Sequence, residues 1–334
     1  MASSSPAEPI LDIAQFAHIE LLTPDLEGSL AFFTGILGLQ ETTRQGRSVY
    51  LRCYEESYHH SVKLTEATQA GLGHVAFRCR TPKALERRAA AIEATGLGRG
   101  WVEGDLGHGR AYQFDTPAGH RWELFFDVDY YEATGEQRSA LRNRPSKRPA
   151  SGIAARRIDH FNITAPDAGA VRDFLCGSLG FMEREKIVVD DNPAVTIASW
   201  LSVTNLGHDL AVVPEAPGAT VGRFHHLCLH AGTNEALFDA ADLCREHGVR
   251  IEHGPGRHGI AKTTFFYVFE PGGNRIELIG DTGALIFDPS FPTVVWKASE
   301  LPVAAVWTGT EFPQSFWAYA TPDEALTMLD AAVA

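Results

Sequence analysis

HIELLTPDLEGSLAFFTGILGL, residues 18–39, and HFNITAPDAGAVRDFLCGSLGF, residues 160–181, are two versions of one pattern. At a constant offset of 142, His18, Pro24, Asp25, Phe32, Gly35, Leu37 and Gly38 fall on His160, Pro166, Asp167, Phe174, Gly177, Leu179 and Gly180. Further along, the offset becomes 154, and Pro117, Gly119, Arg121, Glu123 and Leu124 fall on Pro271, Gly273, Arg275, Glu277 and Leu278. Loops absorb the 12-residue difference at little entropic cost. A chain that repeats itself this way is built from copies of one module.

Each copy divides alike. A strand over 16–22 or 158–164 opens it, and a helix begins at Asp25 or Asp167 and ends at a Leu-Gly pair, where glycine suits the helix C-terminus. Strands over 48–54 and 194–203 follow. Each copy then repeats the strand–helix–strands order, with helices over 82–94 and 233–247; Thr81 is placed to cap the first and Pro82 suits its first turn. This pattern predicts an α+β fold with modules over 12–133 and 158–280. Between them, 134–157 carries seven basic residues and one acid, which reads as a solvated basic linker. A tail over 281–334, rich in Pro, Trp and Phe, matches neither copy and is expected to pack over something; Trp296, Trp307 and Trp317 are its candidates for closing a cavity or meeting a second subunit.

The 334 residues exceed one domain on a prior of about 150 residues each. Hydrophobic residues at 44% and charged residues at 21% are globular values. A net charge of −13 disfavours nucleic acid and anionic membranes as partners, and no apolar run reaches the ~18 residues of a membrane span. The first residues, Met-Ala-Ser-Ser-Ser-Pro, lack the pattern of a secretory signal. The cysteines at 53, 79, 176, 228 and 244 are odd in number and widely spaced, as expected of reduced thiols in a cytoplasmic protein.

Three strands of the second copy end in residues suited to a divalent ion: His160, one of the pair His225–His226, and Glu277. Two imidazoles and one carboxylate partly neutralise the ion and leave three octahedral positions open, the donor set of non-haem Fe(II) oxygenases. The segment GPGRHGIAKTTFFYVFEPGGNRIE, residues 254–277, is the most specific piece of sequence. Its His258, Tyr267, Pro271, Gly273 and Glu277 resemble the fingerprint of type I extradiol ring-cleaving dioxygenases of the vicinal-oxygen-chelate superfamily, and the resemblance extends over roughly 12–296.

That resemblance implies tandem βαβββ modules, two per domain, each domain curling a mixed sheet around a cavity. It implies Fe(II) on His160, His226 and Glu277, with Mn(II) accepted by the same donors, and His208 as the acid–base residue. His258 and Tyr267 would hydrogen-bond the catecholate, while Asn162 and Trp200 would line the substrate pocket. The substrates would be a catechol and O2, the setting aromatic catabolism, and the assembly a homo-oligomer. His253 stands where the homoprotocatechuate-cleaving branch has an arginine for the substrate carboxylate, and a weakly basic imidazole holds an acid less firmly than a guanidinium fork. The expected substrate is therefore catechol or an alkyl- or halo-catechol, the alternative being 3,4-dihydroxyphenylacetate. A keto-acid dioxygenase would share the triad without needing the His258–Tyr267 run, and a metal-free binding protein would need none of it. The first copy also carries His18, His74 and Glu123 at the ligand positions, with His59–His60 near the place of His208. Because its fingerprint is shortened and has Gln113 ten residues before Glu123, it is expected to be a metal-free vestige.

Overall fold

The computed structural model describes residues 8–322 and folds them as two curled sheets, of eight and nine strands. The first sheet holds β1 (Ile13–Thr23), β2 (Gln40–Gln45), β3 (Ser48–Arg52), β4 (Val62–Glu66), β5 (Gly71–Cys79), β6 (Gly98–Val102), β7 (Ala111–Asp115) and β8 (Arg121–Phe125). Their order, β2-β3-β4-β1-β5-β8-β7-β6, sets two four-strand units side by side. β1 and β5 are antiparallel at the seam, and each runs parallel to the last strand of its own unit, β4 or β8. The second sheet repeats the plan with β9 (Arg157–Ala165), β10 (Met182–Val189), β11 (Asn192–Ser202), β12 (Leu210–Pro214), β13 (Phe224–His230), β14 (Arg250–Arg257), β15 (Thr264–Phe269) and β16 (Arg275–Ile279). Its order is β14-β15-β16-β13-β9-β12-β11-β10, and the tail adds β17 (Val294–Lys297) parallel to β10. The paired βαβββ modules read from the sequence are therefore the fold.

Local chemistry sets the helices. α1 (Leu26–Ala31) and α3 (Ala168–Phe174) begin at the aspartates of the repeat, whose carboxylates accept from Gly28 N at 3.0 Å and Ala170 N at 2.9 Å. Both run on into a π-helical turn, and Gly38 and Gly180 then take φ of +76° and +78°, which lets the chain reverse into the next strand. α2 (Pro82–Glu93) is capped by Thr81, and α4 (Glu235–Glu246) ends ahead of Gly248.

The central strands show why buried imidazoles and a continuous core coexist. Along β9, Phe161 and Ile163 enter the hydrophobic core while His160, Asn162 and Thr164 face a cavity. β16 sends Ile276 and Leu278 to the core and Glu277 to the cavity; β15 sends Phe266 and Val268 one way and Tyr267 the other. The core runs through both domains, with Phe16 against Phe161 at 5.0 Å between ring centroids. Among the described residues, no helix is long and apolar enough to cross a membrane.

The 134–157 connector is solvated only in part. Ser146 is fully buried and bonded to Arg52 at 2.7 Å, and Ile153 and Ala155 donate to the carbonyls of Ile36 and Leu37 at 3.0 and 2.8 Å. The tail packs over the mouth of the second domain through α5 (Leu301–Ala305) and α6 (Gln314–Ala318); its residues 323–334 lie outside the described residues. Arg275 ties the tail down. Fully buried, it grips Glu252 at 2.6 and 3.0 Å and donates to the carbonyls of His225, Ser315 and Tyr319. Arg275→Ala would leave the Glu252 carboxylate buried and unpaired, and a loss of about 3–5 kcal/mol in urea unfolding is expected; a loss below about 1 kcal/mol would show that water reaches the gap.

Candidate metal centre

Four neighbouring strands, β9, β13, β16 and β15, bring one polar group each to the floor of the second domain. His160 Nε2 lies 3.0 Å and His226 Nε2 3.1 Å from Glu277 Oε2, and the three side chains are nearly inaccessible to solvent. His258 Nε2 approaches Glu277 Oε1 at 3.4 Å and the Tyr267 hydroxyl at 3.1 Å. His208, in the turn before β12, lays its ring 4.1 Å from that of His160.

The hydrogen bonds around these rings fix which nitrogen faces inward. Asp159 Oδ1 accepts from His160 Nδ1 at 2.9 Å, leaving the His160 Nε2 lone pair for the site. His225 donates Nε2–H to the Phe316 carbonyl at 2.9 Å, so its Nδ1 accepts from His226 Nδ1–H at 2.7 Å. That relay from the tail presents His226 Nε2 as a second lone pair. His258 Nδ1–H donates to the Ala305 carbonyl at 2.5 Å, so its Nε2 accepts from the Tyr267 hydroxyl. Among the described residues, Asn162 Oδ1, His208 Nδ1, His226 Nε2 and Glu277 Oε1 are buried without a hydrogen-bond partner. Buried polar atoms left bare around one point fit an ion and an oxygen-bearing ligand. The nitrogen and oxygen donors of His160, His226 and Glu277 all lie within 4.8 Å of one another, so these residues suit a divalent ion.

Charge agrees with that reading. Burial alone would raise the Glu277 pKa, but the imidazoles of His160, His226 and His258 around it hold it well below the usual carboxylate value. Burial opposes a charge on His160 as well, yet Asp159 and Glu277 push its pKa up to about 9. The pocket is thus built to hold positive charge. Burial pushes His208 well below an ordinary imidazole, reinforced by His160 beside it, and leaves it neutral. Burial also pushes the Tyr267 hydroxyl well above its usual pKa, so it stays protonated.

Above the donors lies a cavity of about 180 Å³ lined by Asn162, Ile197, Trp200, Val213, Phe312 and Phe316 among others. Asn162 and Trp200 both line it. His253 does not line it. Register shifts in β14 on both sides of His253 turn its ring to the tail, where Nε2 meets the Thr310 carbonyl at 2.7 Å and the ring packs on Phe312. Sequence reasoning missed the tail's Phe312 and Phe316, which have no counterpart in the repeat, and the Arg223–Glu215 pair on the wall.

His225→Ala would break the relay that fixes His226. Metal affinity is expected to fall by about 10–100-fold with the donors intact. An unchanged dissociation constant in a chelator competition would show that His226 orients itself.

Residues 15–124 and 157–278 each match the profile of the glyoxalase/bleomycin resistance protein/dioxygenase superfamily. The chain is 50% identical over 316 residues to a metapyrocatechase of Geobacillus stearothermophilus, covering 94% of this chain and 95% of that one. It is 38% identical to a manganese-dependent 2,3-dihydroxybiphenyl 1,2-dioxygenase of Geobacillus genomosp. 3, covering 90% and 95%. The crystal structure of homoprotocatechuate 2,3-dioxygenase from Arthrobacter globiformis superposes with a TM-score of 0.81 at 28% identity, covering 94% of both chains. The chain belongs to this superfamily, in its extradiol dioxygenase branch.

Proposed function

We propose that this chain cleaves catechol, or an alkyl- or halo-catechol, beside its hydroxyl pair. Both atoms of O2 enter the product, a 2-hydroxymuconic-semialdehyde type compound. The observation that carries this reading is the convergence of His160 and His226 on Glu277 Oε2, at 3.0 and 3.1 Å, beneath a small apolar cavity. Fe(II) is the ion proposed, with Mn(II) accepted by the same donors.

A bound divalent ion lowers the pKa of a catechol hydroxyl and holds the ring and O2 together. The protein's residues supply the rest. His160, His226 and Glu277 occupy one side and leave the cavity side for reactants. The Tyr267 hydroxyl would turn its one O–H from His258 Nε2 to a substrate oxygen and so orient the ring. His208, neutral at the start, would take up a proton released by a catechol hydroxyl and later return it to an oxygen atom of the reacting group. Phe312, Phe316 and Trp200 keep water from the ring.

The substrate reading rests on the walls. Arg223, which lines the cavity, is held by Glu215 at 2.6 and 3.0 Å, so its charge is matched inside the protein and does not favour a carboxylate tail. His253→Arg accordingly should not raise activity on 3,4-dihydroxyphenylacetate; a rise in that preference would put position 253 in the pocket after all. The five free thiols suit a reducing cytoplasm. We propose a homo-oligomer as well: edge strand β17 leaves Val294 and Val295 exposed, and light scattering tests it.

Anaerobic reconstitution with Fe(II), then air and a panel of catechols, tests the function. Yellow product that requires Fe(II), fastest with catechol or methylcatechol, is expected. No colour with any ring despite bound iron would favour the keto-acid chemistry; no colour and no iron would leave a binding protein.

A further inference from the structure

The first domain holds a second set of donors, more complete than its sequence suggested. His18 on β1, His74 on β5 and Glu123 on β8 occupy the places of His160, His226 and Glu277. Their counterparts recur around them: His60 lays its ring 4.6 Å from that of His18, as His208 does on His160. The shortened fingerprint also has a partner for His258. His108 stands five residues before Gln113, where His258 stands nine before Tyr267, and its Nε2 lies 3.3 Å from Glu123 Oε1. We infer that His18, His74, His108 and Glu123 form a closed four-donor site for a divalent transition ion, zinc in preference to iron.

Distances support four donors around one point. His18 Nε2 is 3.1 Å from His74 Nε2 and 3.6 Å from Glu123 Oε1, and His74 Nε2 is 3.7 Å from the same oxygen. Together with the 3.3 Å contact of His108, these are four of the six edges, and they straddle about 3.3 Å, the edge of a tetrahedron with ligands about 2.05 Å from a zinc ion; an ion would draw His74 and His108 together to close it. The donors of His18, His108 and Glu123 all lie within 4.8 Å of one another.

A second observation is independent of the spacing. His108 Nε2 and Glu123 Oε1 are buried, aimed at this point, and have no hydrogen-bond partner among the described residues. Neighbouring groups hold the inward nitrogens as lone pairs. Glu20 Oε2 accepts from His74 Nδ1 at 2.8 Å, and the Gly109 carbonyl accepts from His108 Nδ1 at 2.9 Å. A carboxylate or carbonyl behind the ring is the usual support of a metal-bound imidazole.

The difference between the domains follows from one exchange. In the second domain the Tyr267 hydroxyl occupies His258 Nε2. In the first, Gln113 faces Glu123 across β7 and β8 and donates to its Oε2 at 3.2 Å, which leaves His108 Nε2 for the ion. Three donors with open positions become four with none. Tetrahedral closure favours zinc over an octahedral ion and gives the site a structural role.

The double variant His160→Ala/Glu277→Gln tests this without touching the first domain. After incubation with excess Zn(II) and gel filtration, it should retain one zinc per chain, against two metal ions in the wild type. Chelation should then lower its melting temperature. His108→Ala in that background should remove the remaining ion; His108→Asn serves if the alanine variant does not fold. Co(II) in the double variant should give the intense visible bands of a tetrahedral centre. No zinc in the double variant, or zinc that both position-108 variants leave in place, would overturn the assignment.

Discussion

Glu277→Gln is expected to strip the catalytic ion and take ring cleavage to background. The substitution keeps the size of the side chain and removes one negative charge. Glu277 is the carboxylate of the donor set: His160 and His226 face its Oε2 at 3.0 and 3.1 Å, and His258 approaches Oε1. With an amide in that place, two neutral imidazoles would have to hold a divalent ion away from water, where an unpaired charge is costly. Metal analysis after gel filtration reads the loss directly, with circular dichroism as the check on folding. A variant that folds, keeps its metal at this site and still turns over catechol would sink the triad.

What the sequence made legible is what the duplication wrote twice. Asp25 and Asp167, Gly38 and Gly180, and Glu123 and Glu277 fall at matching places, and the structure gives them matching caps, turns and strand faces. Strand alternation adds that His160 and Asn162 share a face, which both keep in the cavity. His225 and His226 mark the limit of that rule. Alternation says only that one faces inward, and the Phe316 carbonyl, from a segment outside the repeat, is what holds His225 as the supporting ring.

Two misreadings have definite causes. His253 was expected in the pocket by its place before the glycines, but register shifts in β14 turn its side chain to the tail, as a one-residue slip does anywhere in a sheet. His108 escaped notice because four residues are missing between it and Gln113, so a fixed offset from His258 never lands on it. Both errors concern register, which a chain pattern carries poorly and a hydrogen-bonded ladder fixes.

His208→Asn should separate oxygen chemistry from metal binding. His208 is not a donor in the cluster; its ring packs on His160 and its Nδ1 is bare, so removing it leaves His160, His226 and Glu277 in place. Its burial keeps it neutral, and it lines the cavity where the reactants are proposed to meet, so it could accept a proton there. An asparagine fills much of the same space and still hydrogen-bonds, but it has no basic nitrogen. The expected result is wild-type metal content and catechol affinity, with kcat lower by about 10²–10⁴-fold, the usual worth of a placed acid–base group. A loss carried in KM with kcat unchanged would make His208 a binding group instead. Equal loss of metal would mean that its ring supports His160 mechanically, and the proton would then need another carrier among the cavity's side chains.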